Sequence, residues 1–227
     1  MKKVILFASF VTLVLMSFTT MPKPATYKLD AAKSTFKWTG KKVTGQHWGY
    51  IKFTDGQLTT DGNNIVGGTF TVDMNSMDCQ DTKGEYGTKL LGHLKSDDFF
   101  STEKFPTSTL TIKKVTPKDG NNYDVVADLK IKGITNEVTF PAVITKDAAN
   151  LTAIAAFKIN RTKYDIKYRS GNFFENLGDK AISDDFEVDV NIAAVNAAPA
   201  ATVAPAAPAA KVTKKPIVKK KAASSSK

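Results

Sequence analysis

Residues able to do chemistry are few and scattered in this 227-residue chain. The only histidines are His47 and His93, the only cysteine is Cys79, and the only arginines are Arg161 and Arg169. Metal centres take three or four ligands at short recurrent spacings, yet the chain has neither a His-x-x-x-His pattern nor paired cysteines. A composite of both histidines with Asp78 or Asp97 is the nearest approach, and the spacing predicts no metal site. Asp97, Asp98 and Glu103 have the residue type for acid–base work, but side by side around a turn they suit stabilisation of helix N-termini better. Cys79 is read as a buried small hydrophobe rather than a nucleophile. No Gly-x-Ser-x-Gly, phosphate-binding loop or dinucleotide fingerprint occurs, and the glycines of "GNNIVGGTF" precede a strand rather than a helix. No catalytic residue is predicted, and the chain is read as a non-enzyme.

The elements that would position these groups are strands. "TFKWT" sets Phe36 and Trp38 on one side and Thr35, Lys37 and Thr39 on the other. The same period of two places Phe70, Val72 and Met74 together, then Leu110 with Ile112, and Val125, Ala127, Leu129 and Ile131. It recurs for Val138, Phe140, Ala142 and Ile144, for Ala155, Phe157 and Ile159, and for Phe186, Val188, Val190 and Ile192. Repeated alternation means antiparallel strands with one dry face. Asp55-Gly56, Asp61-Gly62, Asp119-Gly120 and Lys132-Gly133 read as turns between them. A meander with one apolar face must close or stack. The predicted fold is all-β, an antiparallel barrel of about eight strands whose interior is filled by side chains or holds one ligand.

The stretch between Met74 and Leu110 breaks the pattern. Leu90, Leu91 and Leu94 have helical spacing, and Ser96 is placed to cap a second short turn entering "DDFF". This short helical insertion reads as a flap over one barrel end, with Phe99, Phe100 and Phe105 as its apolar contacts.

Outside the barrel lie two segments of different composition. Residues 1–20 read as an export signal: Lys2 and Lys3 precede an apolar run from Val4 to Phe18 that is shorter than a membrane helix. The folded domain is expected over 25–195, and the Ala/Pro/Lys-rich segment 196–227 as disordered. That segment carries seven lysines and no acids, so the formal charge of +10 is mostly terminal and the domain is close to neutral. Basicity therefore does not imply nucleic acid as a partner. The lysines instead match an anionic membrane surface. One cysteine rules out an intramolecular disulfide, and nothing in the sequence sets an oligomeric state.

"HLKSDDFFSTEKFPTSTL" resembles the signature of the YceI family of exported, lipocalin-like polyisoprenoid-binding proteins. "GYIKFTDGQL", "VDMNSMD", "ADLKIKGITNEVTFP" and "FKINRTKYDI" resemble further family segments in the same order, so the likeness covers about residues 26–193. Asp165 departs from it, standing where the family commonly has glycine. The resemblance implies a lipocalin-like barrel, periplasmic or secreted, whose cavity binds, sequesters or transports a long isoprenoid lipid of polyprenyl or quinone type. It implies no cofactor beyond such a lipid. The lipid-binding set is then Phe36, Trp38, Phe70, Val72, Met74, Leu94, Phe99, Phe100, Phe105, Leu110, Leu129, Phe140, Phe157 and Arg161. Arg161 closes a core strand and is a candidate for the lipid headgroup or for a flap carboxylate, with structural pairing the plainer use. The alternatives are a structural or stress-related envelope protein with a filled barrel, or an isoprenoid-modifying enzyme.

Overall fold

The structure is a computed structural model that describes residues 24–197; the export segment and all but the first two residues of the tail expected at 196–227 lie outside the described residues. Nine strands and one α-helix are present there: β1 (Ala25–Leu29), β2 (Thr35–Lys42), β3 (Gly45–Asp61), β4 (Asn64–Asp73), α1 (Gly84–Lys95), β5 (Thr107–Pro117), β6 (Asn122–Ile131), β7 (Ile134–Lys146), β8 (Asn150–Asn160) and β9 (Asp185–Asn196). Every pairing is antiparallel, and the sheet closes because β9 pairs with β2 and β1 while both also pair with β3. β1 meets the C-terminal half of β3 and β2 its N-terminal half, so the two form one broken stave. The barrel is a closed, lipocalin-like one of eight staves.

The expected alternation is followed closely. On β8, Leu151, Ala153, Ala155, Phe157 and Ile159 point inward, while Thr152, Ile154, Ala156 and Lys158 are exposed. Three of the four dipeptides read as turns are turns. Lys132-Gly133 has positive φ at both residues (49° and 78°), the geometry a two-residue hairpin between twisted strands requires. Asp55-Gly56 is a correction. It lies inside β3, where a register shift between Phe53 and Asp55 leaves an extra residue on that strand. This bulge moves the inward set from Ile51 and Phe53 to Gly56, Leu58 and Thr60. Gly56 is needed there because a Cβ would collide with the Phe70 ring.

The two barrel ends differ. At one, tight hairpins join β3 to β4, β5 to β6 and β7 to β8, and the buried side chains of Tyr27, Ile65, Leu151 and Ala194 fill the interior. The Tyr27 hydroxyl donates to the Asp147 carbonyl (2.7 Å), tying β1 to the β7–β8 turn. Two long connections cross the other end: residues 74–106, which include α1, and residues 161–184. Ser96 closes α1 and its carbonyl opens the expected second turn by accepting from the Phe99 amide, but its hydroxyl donates back to the His93 carbonyl instead of capping that turn. Asp165 holds the left-handed conformation (φ 57°) that glycine would adopt without steric cost.

Burial on β8 sets an expectation. Leu151→Ala should cost about 2–5 kcal/mol, and Ile154→Ala, on the outer face, no more than about 0.5 kcal/mol. Urea denaturation of both variants checks the difference, and equal costs would contradict the inward face.

Candidate functional site: an apolar barrel cavity

The barrel encloses a cavity of about 360 Å³, within the roughly 300–1,000 Å³ typical of small-molecule sites. Its deep wall is hydrocarbon: Ile112, Val125, Phe140, Ile144, Ala153 and Ile192 line it. Polar lining residues gather at the end crossed by α1, where Lys41, Lys42, His47, His93, Tyr168, Arg169 and Asp185 surround the opening. The cavity is therefore a blind apolar tunnel with a polar mouth.

Thirteen of the fourteen residues expected to contact lipid reach this cavity. Phe36 and Trp38 come from β2, Phe70 and Val72 from β4, and Met74 from a 3-10 turn (Met74–Ser76) that follows β4 rather than from the strand itself. Leu110, Leu129, Phe140 and Phe157 come from β5, β6, β7 and β8. Phe36, Phe70, Leu110 and Phe157 are only partly buried, because part of each side chain faces the cavity. Phe140 and Phe157 stack with ring centroids 4.2 Å apart, and Phe53 meets Phe36 and Phe70 edge to face. These contacts fix the rings as a firm wall.

Above the wall, Leu94 of α1 and the turn that follows it supply the lid. The Phe100 amide donates to the Leu94 carbonyl (3.1 Å) and the Phe99 amide to the Ser96 carbonyl (3.1 Å), which turns both rings down toward the barrel. Phe99 is also part of a second buried cluster with Ile159, Tyr164, Ile166 and Val188, so it serves core and cavity together. Phe105 does not reach the cavity. Its amide closes a turn on the Ser101 carbonyl (2.9 Å), and its ring lies over Gly133 at the β6–β7 hairpin, where a Cβ would collide with it. Phe105 pins the flap to the barrel rim.

Arg161 lines the mouth but is committed to the β8–β9 connection. Its Nε donates to the Ser183 carbonyl (2.9 Å), Nη1 to Ile166 (2.8 Å) and Nη2 to Ile182 (3.1 Å), with Asp184 at 3.4 Å. No flap carboxylate pairs with it. Burial lowers the guanidinium's proton affinity, and Asp184 partly offsets that effect. Polar groups at the mouth are partly paired, His93 with Asp98 (3.0 Å) and Lys41 with Glu187 (2.7 Å), while Lys42, Arg169 and Asp185 make no ion pair among the described residues. Of the carboxylates read as helix stabilisers, Asp97 instead meets Ser101 and Lys104, and Asp98 meets His93.

The two histidines do not share a site, and the acid facing His47 is Asp81, not Asp78 or Asp97. Asp81 also accepts from the Trp48 amide (2.9 Å) and from the Cys79 thiol (3.4 Å). Burial alone would raise its carboxyl, but the Trp48 amide, His47 and Cys79 outweigh that and bring it down to about 2. Sequence spacing missed this cluster because His47 and Asp81 are brought together only by the return of the chain along β3. The one available signal was the Cys-x-Asp spacing, which puts both residues on one side of an extended segment.

Comparisons with known proteins agree with this architecture. The YceI-like domain family matches residues 27–194. Protein YceI of Escherichia coli O17:K52:H18 is 31% identical over 145 residues, covering 63% of this chain and 72% of that protein. The crystal structure of BcnA from Burkholderia cenocepacia has a TM-score of 0.60 at 22% identity, covering 73% of this chain and 98% of that one. A polyisoprenoid binding domain from Saccharophagus degradans, implicated in plant cell wall breakdown, has a TM-score of 0.54 at 15% identity, covering 78% and 99%.

Asp81 carries a pH expectation. A carboxyl held at about 2 when folded, against the ordinary value of about 3.9 when unfolded, stabilises the fold above pH 4 and loses that contribution as pH falls toward 2. Asp81→Asn should lower stability at pH 7 and flatten its fall between pH 4 and 2, measured by urea denaturation across that range. With the fold, the cavity and the family match in agreement, the chain belongs to the YceI-like domain family.

Proposed function

We propose that the protein binds and carries a long-chain isoprenoid lipid, of polyprenyl or quinone type, in the cell envelope. The carrying observation is the form of the cavity: a deep hydrocarbon wall, blind at one end and polar only at the mouth. A lipid tail needs a continuous dry surface more than directed polar contacts, and each buried CH₂ contributes about 0.8 kcal/mol. The description of the Saccharophagus neighbour as a polyisoprenoid binding domain supports the ligand class. The commitment of Arg161 to three backbone carbonyls and the hydrocarbon character of the deep wall favour binding over catalysis.

On this reading the lipid enters at the mouth, and Val43 of the β2–β3 hairpin with Phe173 and Phe174 of the 161–184 connection are at least half exposed at the same end. The export segment would bring the protein to the periplasm or outside the cell, and the terminal lysines would draw it to anionic phospholipid through a screened attraction.

The test is mass spectrometry of solvent extracts from the purified protein, alongside Ala155→Trp. Ala155 faces the cavity, so an indole there should take up ligand space at a modest stability cost. The expected outcome is an extracted isoprenoid lipid at near-equal molar amount in the wild type and at least tenfold less in the folded variant. Absence of any isoprenoid, including after incubation with polyprenyl or quinone lipids, would overturn the reading. A second variant, Phe100→Ala, should speed lipid loss to acceptor vesicles while the fold survives.

A further inference from the structure

His47, Cys79 and Asp81 each offer one donor atom, and these atoms lie within 4.8 Å of one another. His47 Nδ1 is 2.8 Å from one Asp81 oxygen, and the Cys79 sulfur is 3.4 Å from the other. From these contacts we infer that the cluster is a divalent transition-metal site, suited to Zn²⁺.

The donor set decides the metal. One sulfur, one imidazole nitrogen and one carboxylate oxygen form a mixed, borderline-soft set. Mg²⁺ and Ca²⁺ require oxygen donors and are poorly served by a thiolate. Zn²⁺ accepts all three, at about 2.3 Å to sulfur and about 2.0–2.2 Å to nitrogen and oxygen. Those bond lengths place tetrahedral ligand atoms roughly 3.3–3.6 Å apart. The present spacings need only small movements, as the carboxylate gives up its hydrogen bonds from the ring and the thiol for bonds to the ion.

The backbone brings the donors together. Residues 78–80 run along β3, with the Asp78 amide on the Tyr50 carbonyl (3.0 Å) and the Gln80 amide on the Trp48 carbonyl (2.8 Å). This approach depends on Gly49, where any Cβ would overlap the Asp78 carbonyl. Cys79 is thereby buried beneath the segment, while His47 and Asp81 keep partial access to water. Three protein ligands leave a fourth position open. His47 also lines the cavity mouth, so an ion here stands beside the opening, though its binding does not depend on lipid.

Loading requires that the thiol lose its proton and the imidazole be neutral, so metal uptake releases protons. The test uses the full chain without a histidine tag, stripped of metal by a chelator and dialysed. Calorimetric titration with Zn²⁺ should give one site per chain, with a heat that depends on the buffer's ionisation enthalpy. Mg²⁺ should give no binding at that site. Co²⁺ should produce a thiolate-to-cobalt charge-transfer band that Cys79→Ser abolishes. His47→Gln, which leaves the Asp81–Trp48 bond in place, should weaken Zn²⁺ binding at least tenfold, with the fold checked by circular dichroism. No Zn²⁺ binding by the folded wild type would overturn the proposal. So would unchanged binding in folded His47→Gln, or a charge-transfer band that survives in Cys79→Ser.

Discussion

Closure of the hydrogen-bonded ladder is the constraint on which the rest depends. A sheet with one apolar face exposes both that face and two unpaired edges unless it curls onto itself. Here the last strand, β9, completes the circle by pairing with the broken stave formed from β1 and β2. Once closed, eight staves enclose more space than their inward side chains fill, even with eight phenylalanines on the lining. The cavity therefore follows from strand number and closure, and side-chain choice then sets its size and dryness.

Closure also separates the roles of the two ends. Tight hairpins leave one end to be sealed by bulky side chains such as Tyr27 and Leu151. The other end has long connections with backbone groups that the barrel ladder cannot satisfy. Those of residues 161–184 are met by local turns, by Arg161, whose guanidinium binds three carbonyls, and by pairing of residues 181–183 with the end of β2. Residues 76–80 are met by β3, which runs beyond its partner strand. Each connection is thus tied to a rigid element while its outer surface stays polar.

The sequence showed the periodic part of this design and little of the remainder. Alternation in β2 and β6 to β9 was plain because most inward side chains are apolar and the strands run several residues without a break. β4 and β5 showed it over residues 70–72 and 110–112, clear of their register shifts. The β3 bulge was hidden: an inserted residue reverses the inward set after Phe53, and Asp55-Gly56 then imitates a turn that a closed ladder does not need. Phe105 was misplaced for a related reason, since the turn closed on the Ser101 carbonyl carries its ring onto Gly133 rather than into the cavity, and composition does not record that rotation. Arg161 looked available for a headgroup because backbone carbonyls, its actual partners, are invisible in a list of side chains. The His47, Cys79 and Asp81 cluster escaped notice because its members meet through tertiary return of the chain.

A wall of this kind also limits how a carrier can select its cargo. Burial of hydrocarbon is non-directional and grows with contact area, so on the proposed reading affinity rises with tail length only until the tunnel is full. Beyond that length, further isoprene units must remain outside or displace the lid. The wall cannot distinguish one headgroup from another, because its polar atoms begin only near Gly40 and His93. Selection among lipids with the same tail must therefore rest on the mouth. There Lys42, Arg169 and Asp185 make no ion pair among the described residues and are open to a headgroup, whereas His93 with Asp98 and Lys41 with Glu187 would have to exchange a bond. Such exchanges alter affinity modestly, because a bond lost to the protein offsets a bond made to the lipid. A barrel built this way holds a tail by area and leaves discrimination among headgroups to the few unpaired charges of its mouth.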